Sequence, residues 1–313
     1  MTAEAAANVS AVEKTGMPAL IAALRPYQWP KNAIVFAALV FSAGQAWHPA
    51  EAATWWPLLW RSSLVFVLWC MVSSAMYLVN DVRDRESDRL HPRKAHRPIA
   101  RGAVSPRAAV ATAVSLLVVA IPLGFIVGIG AGAVLAGYAA VMLLYSAGLK
   151  NIAILDVLIL CAGVVARAVA GAAAIDVAIS PWLYICSSFG AFFFASSKRW
   201  AEYRQLGPEA ARHRPALAQY DGEILSQIVS ISAATALVGY AIYTIESTHV
   251  PRNGAMALTI PFVAFGLFRY LLLLTGPRRA DAPDQILFTD PQLLIAVAGF
   301  AVTAMAVLLF WQA

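Results

Sequence analysis

Apolar runs separated by short polar stretches set the rhythm of the chain from residue 32 to its end. Nine of these runs read as bilayer-crossing segments: 32–47, 57–79, 106–128, 130–147, 153–175, 181–197, 224–245, 257–275 and 292–312. The first is the shortest. Backbone N–H and C=O groups meet no water inside lipid, so spanning segments must satisfy those groups internally, as helices do. The pattern predicts an all-α integral membrane protein, a bundle of nine transmembrane helices. Residues 1–20 are expected to be a disordered or interfacial tail, since Met17 to Leu24 is a short apolar stretch with Lys14 as the one cation ahead of it. Residues 21–313 then form a single transmembrane domain.

Composition agrees. Of 313 residues, 60% are hydrophobic and 13% charged, which excludes an ordinary soluble globular protein. Cys70, Cys161 and Cys186 fall within predicted spans at no disulfide or metal-ligand spacing, and the five histidines are scattered. Neither a disulfide framework nor a zinc site is expected.

Charge decides orientation. With the N-terminus on the cytoplasmic side, the inner segments are 1–31, 80–105, 148–152, 198–223 and 276–291. Together with Arg107 they hold nineteen of the 23 Lys and Arg. Arg61 and Arg252 are left to the outer side, while Arg167 and Arg269 lie within spans. This is the positive-inside asymmetry of a multi-pass protein of an inner, cytoplasmic membrane. The net charge of +6 is accordingly a topology signal and no sign of nucleic-acid binding, for which the chain carries no fold motif.

The same orientation gathers the dense polar motifs on the cytoplasmic side, foremost "NDVRDRESDRLHPRKAHRP" at 80–98. Continued as a helix through residue 88, this segment sets Asn80, Asp84, Asp88 and Asp81 at about 0°, 40°, 80° and 100° around the axis. One stripe then carries all four side chains, while Arg83, Arg85 and Arg89 point elsewhere. Like charges so spaced repel one another, and a hard divalent cation is the natural compensation. Mg²⁺ takes one or two carboxylates and completes its shell with phosphate oxygens and water. Arg93, Lys94 and Arg97, just downstream, suit the phosphate oxygens left over. The expectation is a Mg²⁺–diphosphate site in a polar cavity at the cytoplasmic side, with Asn80, Asp81, Asp84 and Asp88 as the metal ligands.

Other polar residues border this region. Gln28, Lys31 and Asn32 of "RPYQWPKN" (25–32) open the first span within reach of the same pocket, unless Trp29 and Lys31 serve as interfacial anchors. Tyr145 and Lys150 close the fourth span, where Lys150 either contacts phosphate or snorkels to lipid headgroups. Arg167 is a cation well inside a span, a costly placement that marks a functional or paired group. Asp156 lies about 16 Å from it along the same helix, too far for a direct pair.

The run Asn80-Asp81-x-x-Asp84-x-x-x-Asp88 resembles the first aspartate-rich motif, NDxxDxxxD, of the UbiA superfamily of intramembrane prenyltransferases. Arg97-Pro98-Ile99 with Gly102, Tyr145 with Lys150, and the nine spans resemble that superfamily too. Its usual members transfer a prenyl chain from a prenyl diphosphate to an aromatic acceptor. They carry a second aspartate-rich motif, of DxxxD type, in the loop after the sixth span. Here Lys198-Arg199-Trp200-Ala201-Glu202 stands in its place, which puts a second Mg²⁺ held by two aspartates in doubt.

With "RPYQWPKN", "YSAGLKN", "DVLILCAGVVARAVAGAAA" and "SKRWAEY", the chain is similar to the decaprenyl-phosphate phosphoribosyltransferase branch. That resemblance implies transfer of 5-phosphoribose from 5-phosphoribosyl 1-diphosphate to a polyprenyl phosphate. The products would be diphosphate and polyprenyl-phosphoryl 5-phosphoribose, a precursor of lipid-linked arabinose. It implies Asp81, Asp84 and Asp88 as catalytic residues, Mg²⁺ as cofactor, and phosphoribosyl diphosphate, polyprenyl phosphate and the lipid bilayer as partners; it permits a homo-oligomer. Two further anions, the 5-phosphate and the lipid phosphate, call for added cations, and Lys198 and Arg199 stand where acid is usual. Glu202 is expected to orient Lys198 or bind ribose hydroxyls. The acceptor oxygen is already anionic, so the reaction needs no strong base.

Two rivals remain. An aromatic prenyltransferase using prenyl diphosphate and a hydroxybenzoate or quinone precursor explains the aspartates and the bundle but leaves Lys198-Arg199 unexplained. A transporter of an anionic solute is opposed by the one-sided charge and by the lack of an evident inverted repeat.

Overall fold

A computed structural model describes residues 17–90, 94–207, 215–247, 250–276, 286 and 289–310. Helix α1 (Met17–Ala23) leads into a 3₁₀ helix (Pro26–Phe36) and the five-residue α2 (Ala37–Phe41). There follow α3 (Ala52–Arg83), α4 (Arg85–Arg89), α5 (Pro106–Val127), α6 (Ile129–Ala147), α7 (Leu155–Ala174) and α8 (Pro181–Leu206). The chain closes with α9 (Gly222–Glu246), α10 (Ile260–Thr275) and α11 (Pro291–Phe310).

Seven segments among the described residues are long and apolar enough to span a bilayer: α3, α5, α6, α7, α9, Ala255–Thr275 and α11. Two of the nine expected spans therefore differ. Residues 181–197 do form a helix, the 26-residue α8, but its serines and charged final turns make it less apolar than the rest. Residues 32–47 are no single α-helix. Their first part, to Phe36, ends an eleven-residue 3₁₀ helix that begins at Pro26, unusually long for that conformation and containing Pro30, which has no N–H to give an α-ladder; Ala37–Phe41 then form the short α2.

The 3₁₀ helix still packs into the bundle. Gly171 of α7 lets the two backbones touch, since a Cβ there would lie 1.9 Å from the Val35 carbonyl oxygen. Around this contact Val35, Val65, Leu68, Trp69, Val72, Leu135 and Ala170 build the main apolar core from the 3₁₀ helix, α3, α6 and α7. A second core, around Phe193, Val229, Tyr270 and Leu293, joins α8, α9, α10 and α11. Arg269, the other cation inside a predicted span, is paired: its Nη2 donates to Asp290 Oδ2 at 2.9 Å. Asp290 Oδ1 in turn accepts the Leu293 N–H at 3.1 Å and caps α11.

Helix α3 positions the site. Its 32 residues make a rod about 48 Å long, against a hydrocarbon layer of about 30 Å. Asn80 and Asp81 stand in its final turn.

Candidate active site

Asp84 forms the turn between α3 and α4, and helical hydrogen bonding runs through it. The Asp84 N–H donates to the Asn80 carbonyl at 2.9 Å, and the Asp88 N–H to that of Asp84 at 2.8 Å. The expected continuation through residue 88 is thus realised with a slight break. The four side chains resolve into two groups. Asn80 Nδ2 donates to Asp84 Oδ2 at 3.1 Å. Asp81 and Asp88, both buried, share Arg97: its Nη1 lies 3.0 Å from Asp81 Oδ1 and 2.6 Å from Asp88 Oδ2.

Within the protein the stripe has compensating charges of its own. Cations reach it from three other segments. Arg25 Nη2 lies 2.6 and 2.8 Å from the two Asp81 oxygens, Arg97 bridges Asp81 and Asp88, and Lys150 Nζ donates to Asp84 Oδ1. Like charges on one helix face are tolerated because opposite charges arrive through the tertiary fold. Arg97, expected on phosphate, is engaged by the acids.

Arg25 was not among the sequence candidates, although "RPYQWPKN" begins with it. Its backbone is left-handed (φ 56°, ψ 58°), which turns the chain from α1 into the 3₁₀ helix. Its guanidinium stacks 4.8 Å over the Tyr77 ring. Burial works against its charge, yet the adjoining Asp81 carboxylate prevails and raises its pKa above the ordinary value.

A second cluster lies where the family's second acidic motif is expected. Arg199 is buried and committed: Nε donates to Asp156 Oδ2 at 2.7 Å and Nη1 to Glu202 Oε2 at 3.3 Å. Burial opposes the Arg199 charge, and Asp156, Glu202 and Tyr145 more than offset it. The Tyr220 hydroxyl donates to Asp156 Oδ1 at 3.2 Å and accepts the Ile154 N–H. Burial pushes that hydroxyl up to about 12. Arg199 is therefore half of a buried ion pair in this structure, and Glu202 pairs with Arg199.

A third cluster sits deeper. Arg167 Nε donates to Asn32 Oδ1 at 2.8 Å and Nη1 to the Gly163 carbonyl. Its guanidinium lies 5.3 Å from the Trp69 ring centre and 5.5 Å from that of Tyr138. Asn32 Nδ2 faces Cys70 Sγ and Ser73 Oγ at 3.2 and 3.3 Å. Ser73 is eight residues before Asp81, about 12 Å along α3. Asn32 and Arg167 thus form a layer of their own beneath the aspartates, tying the 3₁₀ helix to α3 and α7.

Of the remaining candidates, Gln28 is half-buried and Lys31 exposed on the 3₁₀ helix, Tyr145 is buried, and Lys94 and Lys198 are half-buried. Arg93, the tail 1–16 and most of the 276–291 loop lie outside the described residues.

The donor set suits Mg²⁺. It offers oxygen atoms alone, as a hard cation prefers. Among the described residues no three His, Cys, Asp or Glu side chains converge closely enough to hold a metal ion by themselves. Mg²⁺ characteristically needs only one or two carboxylates alongside phosphate, and Arg97 Nη1 already seats positive charge between Asp81 and Asp88.

An apolar cavity of about 560 Å³ lies away from these aspartates, between α6, α7 and α8; Leu158, Ala162, Val165, Phe189 and Phe192 are among its lining residues.

Comparison with known proteins matches residues 33–289 to the UbiA prenyltransferase family. A decaprenyl-phosphate phosphoribosyltransferase from Mycolicibacterium smegmatis is 33% identical over 304 residues, covering 93% of this chain and 92% of its own. One from Corynebacterium glutamicum is 33% identical over 295 residues, covering 92% and 86%. Among solved structures, a UbiA homolog from Archaeoglobus fulgidus bound to GPP and Mg²⁺ has the same fold, with a TM-score of 0.69 at 17% identity over 93% of this chain and 99% of that one.

Proposed function

The chain belongs to the UbiA prenyltransferase family, and on that premise we propose that it transfers 5-phosphoribose from 5-phosphoribosyl 1-diphosphate to decaprenyl or another polyprenyl phosphate. The observation that carries this reading is the convergence of Arg25, Arg97 and Lys150 on Asp81, Asp84 and Asp88. A site with this many cations beside its acids suits a substrate pair rich in phosphate. The same relatives that share a third of this sequence carry the phosphoribosyltransferase name.

Asn80, Asp81, Asp84 and Asp88 would hold Mg²⁺. Bound there, the ion neutralises charge developing on the departing diphosphate. Arg25, Arg97 and Lys150, which pair with these acids, are the cations positioned beside phosphate oxygens bound there. Cations preorganised around a leaving oxygen commonly contribute about 3–4 kcal/mol each in the transition state. The bond from ribose C1 to the diphosphate oxygen breaks, and one from C1 to an anionic oxygen of the lipid phosphate forms. No proton has to be removed from that oxygen. Gln28, Lys31, Lys94 and Tyr145 border the donor in this reading, and Lys198 with Glu202 faces the lipid phosphate. Arg199 and Arg167 act by holding Asp156, Glu202 and Asn32 in place.

The chain would cross an inner membrane nine times, with α8 and the 3₁₀–α2 segment as the two crossings beyond the seven apolar ones. The N-terminus and the polar site face the cytoplasm, and 21–313 act as one catalytic domain. The apolar cavity between α6, α7 and α8 supports a polyprenyl chain in its lining.

One assay tests this. Detergent-purified protein receives labelled phosphoribosyl diphosphate, Mg²⁺ and decaprenyl phosphate, followed by solvent extraction. Label should enter the lipid phase and vanish with EDTA. Prenylated hydroxybenzoate from a parallel mixture, with no labelled lipid, would favour the aromatic prenyltransferase. Solute accumulation in vesicles without chemical change would favour a transporter.

A further inference from the structure

Lys150 reaches Asp84 from the short connection between α6 and α7, and that connection holds the sharpest backbone distortion near the site. Ile154 has φ 67° and ψ −48°. It is the centre of a γ-turn, closed by the Leu155 N–H donating to the Ala153 carbonyl at 2.7 Å. This positive-φ form of the γ-turn is rare and strained, the more so for a β-branched residue. Such a conformation persists only where its surroundings over-determine it.

The surroundings are supplied by the segment before α9. Gln219 brackets the connection with its amide: Nε2 donates to the Asn151 carbonyl at 3.0 Å, and Oε1 accepts the Ala153 N–H at 3.4 Å. The Tyr220 hydroxyl accepts the N–H of Ile154 itself and passes its own proton's hydrogen bond to Asp156, which Arg199 holds. Below the hydroxyl, the Tyr220 ring is anchored with Leu217 and Leu225 against Ala153, Trp200, Tyr203 and Ile228. Three backbone groups of residues 151–154 are thus gripped by two side chains some 66 to 68 residues away.

We infer that Gln219 and Tyr220 are positioning residues that act through the strained 151–154 turn to hold Lys150 at the diphosphate end of the donor. This rests on the phosphoribosyl-transfer reading, in which Lys150 contacts phosphate. Neither residue touches the reacting atoms. The grip makes the seven-residue connection between α6 and α7 a rigid arm, where an ungripped connection would let the lysine wander among rotamers and backbone states. Tyr220→Phe removes both hydroxyl contacts and keeps the packed ring, and Gln219→Ala removes the bracket from an exposed position.

The test is a cycle with Lys150. Tyr220→Phe and Gln219→Ala should each raise KM for phosphoribosyl diphosphate about fivefold, the scale of a lost hydrogen bond, with a smaller change in kcat. In a Lys150→Ala background neither should add anything to KM. Effects that simply multiply with that of Lys150→Ala, or an unchanged KM, would overturn the assignment. A second arm does not need turnover. Binding of inorganic diphosphate with Mg²⁺ is titrated calorimetrically, and deuterium exchange is followed over residues 148–156. Both single variants should bind about fivefold more weakly and exchange faster over that segment alone; unchanged binding refutes the positioning role. If the wild type transfers no phosphoribose yet this second arm behaves as described, the functional reading fails and the positioning role stands.

Discussion

Asp156 shows how much one buried carboxylate holds. It is fully buried and meets Arg199 on one oxygen and Tyr220 on the other. Removing one partner of a buried ion pair strands the other charge, at a cost of about 3–5 kcal/mol, whereas exchanging both for apolar residues is far milder. Asp156→Ala should therefore lower the unfolding temperature in detergent sharply, and Asp156→Leu with Arg199→Met should recover most of the loss. Equal destabilisation by single and double variants would show that the pair is not what holds α7 to α8. At Asp84 the expectation is kinetic. Asp84→Asn keeps the shape and removes a charge, so transfer should fall about 10²-fold and the Mg²⁺ concentration for half-maximal activity should rise. These residues were legible to different degrees. The aspartates announce themselves because helical spacing is local. Their partners do not: Arg25 lies 56 residues from Asp81, and Lys150 lies 66 from Asp84. No periodicity reports a contact of that range.

At the scale of elements, the 3₁₀ helix is the part most at odds with expectation and the one most tightly bound to the site. Its capping residue Arg25 meets Asp81, and within the helix Asn32 meets Arg167 and Val35 meets Gly171. Gly171→Ala would push a methyl group into the Val35 carbonyl. Overpacking of this kind costs about 1–3 kcal/mol, and since the displaced segment carries Arg25, activity should fall along with thermal stability. A variant with normal stability and normal turnover would mean that the segment finds another seat. The apolar run 32–47 was visible in the sequence, yet its division between the end of the 3₁₀ helix and α2 was not, because that division depends on packing against α7. Lys198 and Arg199 make the same point. Adjacent cations look alike in sequence, but on a helix they point about 100° apart, and burial beside Asp156 takes Arg199 into the protein while Lys198 stays half-exposed.

For the whole molecule, the question is which side the polar site faces. Glu86 is exposed on α4 beside the aspartates, so Glu86→Cys is a sound reporter. A membrane-impermeant maleimide should label it in inside-out vesicles and leave it unlabelled in intact cells. The reverse pattern would invert the topology drawn from the basic loops.

Hydrophobic run length and the aspartate spacing are properties of neighbours along the chain, so the helical membrane architecture and the acidic run that crosses from α3 into α4 were readable in sequence alone. Which cation meets which acid, how the 3₁₀ helix seats on α7, and how Tyr220 closes over Ile154 depend on side chains brought together from distant positions. In a low-dielectric bundle those pairings are strong enough to redirect nearly every charge in the site, and only the folded arrangement decides them.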